Sequence, residues 1–255
     1  MAKEVDPMKE TLVDAESSGG VPIRGWRSRR ATKALLLAGI FAAGLYLVGD
    51  VLSAVLYNLD RPYSYVDQWI SELTAYGSPV RPLMVSVIVA HDALIIAFGV
   101  GIWRAADRSR SLRWTGLLLI GATVLGLAIH PVFPMSSRWM ESGFNDTMHG
   151  ILSMAWGVII FVAVGLSAVA YRGWFRLYAI ATDVVLIGFG AASGIAIQGI
   201  EQNDTPWAGA FERINAYSLM AWFVVMAVMV IRHQLDRRPE GRSLAEVTTR
   251  ELVTV

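Results

Sequence analysis

Residues 83–133 read LMVSVIVAHDALIIAFGVGIW, then RAADRSRSLR, then WTGLLLIGATVLGLAIHPVF: an apolar run of 21 residues, a basic connection of ten and a second apolar run of 20. A hydrocarbon core about 30 Å thick takes about 20 apolar residues of helix, so each run is long enough to cross a bilayer. Lipid offers the backbone no hydrogen-bond partners, which makes both runs helical. Arg104, Arg108, Arg110 and Arg113 in the connection resist translocation and predict that this turn faces the cytoplasm.

The same pattern extends in both directions. Apolar runs fall at about 32–56, 80–103, 113–133, 148–171, 174–200 and 214–232 in a chain of 255 residues that is 55% hydrophobic and 17% charged, with mean hydropathy +0.48. The expectation is an all-α polytopic membrane bundle of six transmembrane helices, with cytoplasmic tails at 1–31 and 233–255, the first disordered. Within the second tail, Ser243 and Glu246 have the spacing of a capping box for a short exposed helix. Eighteen of the 22 basic residues then lie on the cytoplasmic side, and Arg61, Arg81, Arg138 and Arg213 remain outside. Trp69, Trp139 and Trp207 outside, with Trp26, Trp103, Trp114 and Trp174 inside, fit aromatic belts. Nineteen arginines against three lysines suggest a GC-rich bacterial genome, hence a bacterial cytoplasmic membrane. Cysteine is absent, which removes disulfides, thiolate metal sites and cysteine nucleophiles.

The outer loops carry eight carboxylates, among them Glu72, Asp146, Glu201 and Glu212, beside their four arginines. Ile70-Ser71-Glu72-Leu73 followed by Gly77-Ser78-Pro79, together with Phe133-Pro134 and then His149, resembles the prokaryotic membrane family catalogued as domain of unknown function 998. The resemblance covers roughly residues 35–232 and implies a compact multi-span fold. The family carries no assigned activity, so it supplies no catalytic residues.

Charged groups within a membrane cost about 2.5–3.5 kcal/mol each at a helix centre, which makes them the candidate functional residues. His91, His130 and His149 lie in the outer halves of the second, third and fourth runs, with Asp50, Asp92 and Asp183 in the first, second and fifth. Spacings of three and four align His130 with Gly126, Thr123 and Gly116, and His149 with Ser153 and Trp156. They also align Asp50 with Tyr46, Ser53 and Tyr57, and Asp183 with Gly190, Gly194 and Gln198. At 1.5 Å per residue His91 sits about 16 Å below the outer end of its run, too deep to share one ion with His130.

Three functions follow as expectations. The first is a lipid-directed hydrolase with a polar pocket opening to the outer leaflet. There a zinc ion on His130, His149 and one of Glu72, Asp146 or Asp50, or on the deeper His91, would activate water, or Ser71 or Ser153 would act as nucleophile. A fainter likeness to the alkaline ceramidase and progestin-receptor hydrolases departs in their seventh span and paired-histidine motif. The second is a transporter of a small molecule, proton or lipid with Asp183, His91 and Asp50 as a relay and Asp92 and Gln198 along the same pathway. The third is a non-catalytic assembly subunit that meets another membrane protein, or a second copy, through a loop carrying Glu201, Glu212 and Arg213. Membrane lipid is the expected partner, and nucleic acid is not.

Overall fold

The computed structural model describes residues 23–60, 62–138, 140–200 and 204–236. The N-terminal tail up to residue 22, the proposed helix at Ser243–Leu252, Trp139 and Glu201 lie outside the described residues, as does the side chain of Trp26. Seven helices are described: α1 Ile23–Asp60, α2 Ile70–Leu73, α3 Arg81–Ala105, α4 Arg110–Ile129, α5 Phe144–Ala170, α6 Trp174–Ala196, which continues as a 3₁₀ turn Ile197–Gly199, and α7 Ala208–Asp236. All but α2 are long and apolar enough to cross a membrane, which makes this a six-span membrane bundle. Six crossings return the chain to the side on which it started.

The spans pack in chain order into a ring: α1 on α3, α3 on α4, α4 on α5, α5 on α6 and α6 on α7, with α7 closing back on α1. Burying apolar surface drives little in lipid, where the tails are as apolar as leucine, so close packing has to hold the ring. At the α3–α4 contact a Cβ on Gly99 would lie 2.8 Å from the Gly116 carbonyl oxygen, and one on Gly116 would lie 2.6 Å from the Gly99 carbonyl oxygen. Only glycines allow two backbones that near. The main core gathers Leu36, Phe98, Phe175, Trp222, Phe223 and Met226, and a smaller cluster of Tyr57, Tyr63, Ile70, Leu73 and Met84 sits under the loops that join α1 to α3.

Two boundaries differ from the apolar runs. Helix α4 stops at Ile129 although the run continues to 133, because Pro131 has no N–H to carry the helical ladder past His130, which itself keeps helical dihedrals of φ −82° and ψ −43°. Helix α7 begins at Ala208, so Glu212, half-buried, and Arg213, buried, are helical and do not belong to a loop. Both are accepted there because their partners come from other elements, as shown below. Trp69 also departs from its expected place in an outer belt: it is 5% exposed and donates its indole N–H to Ser193 Oγ at 2.9 Å.

Enclosure is uneven around the ring. Over their most apolar stretches α1, α3, α4 and α7 are each 39% buried, whereas α5 is 28% and α6 only 17% buried. Among the described residues, one end of the bundle carries the loop segments 62–80, 130–138, 140–143 and 204–207, called the cap here, and the other carries the short connections around Asp107 and Gly173.

Candidate functional site

Under the cap, Asp50 of α1 meets Arg213 of α7. Arg213 Nε lies 3.0 Å from Asp50 Oδ2 and Nη2 lies 3.0 Å from Oδ1, a two-point pairing with both residues buried. The other guanidinium bonds reach the carbonyls of Tyr65, Gln68 and Gly209 at 2.7, 3.0 and 3.3 Å, and Tyr63 Oη at 2.7 Å. Asp50 Oδ2 also accepts from Tyr217 Oη at 2.6 Å and Tyr65 Oη at 2.9 Å, while the Tyr65 ring lies 3.6 Å under the guanidinium carbon. Burial raises the Tyr63 hydroxyl well above its ordinary value, against the pull of Arg213, so it stays a neutral donor and acceptor.

A second pair ties the loops together. Arg138 donates to Glu72 through Nε at 2.7 Å and Nη2 at 2.8 Å, and Nη2 also reaches Thr205 Oγ1 and the Asp67 carbonyl at 2.8 and 3.0 Å. Glu72 further accepts from the Trp69 N–H at 3.0 Å, which starts the short helix α2. Glu212 accepts from the Ile70 N–H and, at 2.9 Å, from Ser71 Oγ. Asp67 accepts from the Trp207 N–H and from Ser64 Oγ, and these bonds hold its carboxyl below the usual range. Three loops and α7 therefore close over the bundle as one hydrogen-bonded lid.

The histidines divide into two groups. His130 and His149 are edge to face with centroids 5.5 Å apart. Thr74 Oγ1 donates to the Ser71 carbonyl at 2.8 Å, so in its 3.1 Å contact with His130 Nδ1 the ring is the donor. His149 Nδ1 donates to the Phe133 carbonyl at 2.9 Å, and this is where its bond goes in place of Ser153, which is half-buried one turn further on. The third zinc ligand does not join them. Glu72 and Asp50 are held by arginines, and Asp146 is turned to the start of α5, accepting from the N–H and Oγ of Ser136 and the N–H of Gly143. Among the described residues no three His, Asp or Glu side chains gather as a metal site.

Burial, with His149, Arg81 and His91 adding to it, pulls the His130 imidazole down to about 3 from 6.5. The folded value lies below the unfolded one, so the contribution of this residue to stability is complete above pH 6.5 and is lost progressively as pH falls from 6.5 toward about 3. The melting temperature in detergent is expected to fall between about pH 7 and pH 4.5, and less steeply in His130→Asn. Equal slopes in the two proteins would contradict this.

His91 and Asp92 form the deeper group on α3, with the His91 Nδ1–H donating to Asp92 Oδ1 at 3.1 Å and its ring 5.3 Å from that of Tyr46. His91 Nε2, Asp92 Oδ2, Asp183 Oδ1 and Trp222 Nε1 are buried with no hydrogen-bond partner among the described residues. On α6 the aligned stripe is enclosed only at Asp183, whose Oδ2 lies 3.4 Å from a Cβ built on Gly165 of α5. Gly190, Gly194 and Gln198 above it are exposed, although Gly190 faces α7, where a Cβ on it would stand 2.9 Å from Asn215 Nδ2. A hollow of about 610 Å³ lies at the end opposite the cap, between Ala105–Ser109, Tyr171 and His233, and not on the side expected for a pocket.

Residues 40–229 match the family described as protein of unknown function, DUF998. The chain belongs to that family. The DUF998 match runs from within α1 to within α7 and takes in both ion pairs, His91, His130, His149 and the whole cap. No curated protein and no solved structure matches the chain. For this DUF998 protein the roles of residues therefore rest on geometry. The sequence reading missed Tyr63, Tyr65 and Tyr217 as partners of Asp50, and Arg138 as the partner of Glu72. One signal was available: Glu212 and Arg213 are the two charged residues in the helical stretch from Ala208 to Ile231, where each charge has to be paired.

Proposed function

We propose that this protein binds a membrane lipid, or an amphiphile like one, taken sideways from the leaflet at the capped end between α5 and α6. The observation that carries the reading is a change of burial along a single seam. Where Gly165 meets Asp183 the helices touch, and Val164, Ala168, Ala179 and Asp183 are buried. Successive turns toward the cap on the same faces are Phe161, Val158 and Met154 of α5, exposed by 39%, 58% and 74%, and Ile187, Ala191 and Gly194 of α6, all exposed. The seam opens toward lipid under a lid that blocks the route from water.

In this reading the basic residues keep to the cytoplasmic side of a bacterial membrane, the cap faces outward, and the lipid comes from the outer leaflet. Binding or carriage fits the side chains better than the hydrolase. Ser71 Oγ is engaged with Glu212, Ser153 has no hydrogen-bonded base, and the carboxylates that would complete a zinc site serve arginines or a helix start.

Gly157 and Gly194 have open space where a side chain would stand, so Gly157→Trp and Gly194→Trp should fill the seam without clash. Native mass spectrometry of delipidated protein is expected to find a retained lipid in the wild type and to lose most of it in both variants at unchanged melting temperature. Wild-type protein that retains no lipid, or variants that retain as much as wild type, would overturn the reading.

A further inference from the structure

The hollow at the end opposite the cap lies where the α3–α4 turn meets the ends of α5 and α7. At about 610 Å³ it falls within the range of about 300–1,000 Å³ that small-molecule sites occupy. Trp103, Trp114 and Trp174, exposed by 48%, 56% and 59%, stand in the terminal turns of α3, α4 and α6 at this end and set it at headgroup depth.

Charge decides what the hollow takes. Asp107 and the carbonyl ends of α3 and α5 would draw a cation. The carbonyls are already answered from within the protein: Arg113 Nη2 donates to the Asp107 carbonyl at 2.7 Å, and Arg176 Nε to the carbonyls of Ala168 and Tyr171 at 3.1 and 3.2 Å. Asp107 is the single carboxylate side chain described at this end, against four arginines from Arg104 to Arg113 together with Arg172, Arg176 and Arg232. The summed potential is positive. Topological anchoring accounts for the number of arginines, but Arg108 also lines the hollow, and its guanidinium has no hydrogen bond or ion pair among the described residues. Beside it Ser109 accepts the Leu112 N–H at 3.3 Å and keeps its own O–H to donate, at the positive end of α4. His233 adds a ring N–H on the facing wall.

A planar two-point donor, a hydroxyl and a helix start match the several oxygens of a phosphate. We propose that this hollow binds an anionic phosphate ester through Arg108, carried by a phospholipid headgroup of the adjoining leaflet or by a soluble molecule. The site lies at the opposite end from the α5–α6 opening toward the cap and does not depend on lateral uptake there.

The test places a reporter in the wall. Because the chain has no cysteine, Ala170→Cys gives a unique thiol lining the hollow. Its labelling by N-ethylmaleimide is followed in full-length protein in a maltoside detergent, with phosphatidylglycerol, glycerol 3-phosphate or diacylglycerol added. Saturable protection by the first two is expected, and none by diacylglycerol, which has the acyl chains without the phosphate. Protection by both identifies the phosphate ester as sufficient, by phosphatidylglycerol alone a lipid headgroup, and by glycerol 3-phosphate alone a soluble ligand. Arg108→Gln, a change at an exposed side chain, should weaken protection at least about tenfold, about 1.4 kcal/mol. Arg104→Gln removes the same charge outside the hollow and should weaken it less than about threefold, as expected of an exposed charge acting at a distance. Equal losses in the two variants would show diffuse attraction to a basic surface and overturn the proposal. Failure of both phosphate probes to protect, or equal protection by diacylglycerol, would overturn it as well.

Discussion

Arg213→Met is expected to destabilise the protein by about 3–5 kcal/mol, the cost of breaking a buried ion pair by removing one partner. The guanidinium serves Asp50, Tyr63 and three backbone carbonyls at once, so its loss strips donors from the Tyr65, Gln68 and Gly209 carbonyls and leaves the Asp50 carboxylate, 0% exposed, with only the hydroxyls of Tyr65 and Tyr217. Lysine would not substitute, because a single ammonium cannot reproduce a planar two-point fork and simultaneous bonds to carbonyls. Thermal unfolding in detergent micelles reads the effect, and Arg213→Lys should recover only part of it. The double variant Asp50→Leu with Arg213→Met should be less damaged than the sum of the two single changes, because no buried charge is then left behind. An Arg213→Met protein that melts with the wild type would show that the pair holds nothing together.

Arg138→Met is expected to open the lid. Arg138 brings the loop after α4 to Glu72 and the Asp67 carbonyl in the loop after α1, and to Thr205 before α7, so it joins all three segments of the cap. Glu72 is 4% exposed, and without its arginine an isolated carboxylate would remain enclosed, again at a cost of about 3–5 kcal/mol. Because the chain has no cysteine, Ser78→Cys supplies a unique reporter at a position only 8% exposed. Its labelling by a bulky hydrophilic maleimide should be slow in the otherwise wild-type chain and at least about fivefold faster with Arg138→Met, the smallest change that a loss of about 1–2 kcal/mol of local stability would produce. Glu72→Gln should lie between the two, since the amide still accepts from the Trp69 N–H and no longer balances the arginine charge. Equal labelling rates would mean that the lid is held by contacts other than this pair.

These pairings explain why part of the site was legible beforehand and part was not. Asp50, Ser53 and Tyr57 were aligned by helical spacing and are all buried, as are Gly116, Thr123 and Gly126 on α4, because one face of a tightly packed helix repeats every three or four residues. The His130–His149 neighbourhood was also readable, since both stand where adjacent spans meet the same loop. The stripe of Gly190, Gly194 and Gln198 was misleading. Small residues permit close packing without choosing the neighbour: Gly190 packs on Asn215 of α7, whereas Gly194 has open space about it. Glu212, Arg213 and Trp69 were read as surface groups because charge and indole favour interfaces, and that preference was overridden by partners from distant loops.

By itself the sequence determined the number of spans, their approximate limits and the absence of thiol chemistry. The physical reason is that a bilayer demands about 20 apolar residues and internal backbone bonding from each crossing, a local requirement written in consecutive residues. Only the tertiary structure decided that α7 closes the ring on α1, that Arg213 finds Asp50 and Arg138 finds Glu72, and that α5 and α6 part toward the cap. Those facts depend on which side chains meet across more than 60 residues of chain, as Glu72 and Arg138 do. Composition and helical periodicity limit such meetings, but the choice among them is made by packing and by the need of every buried charge for a partner.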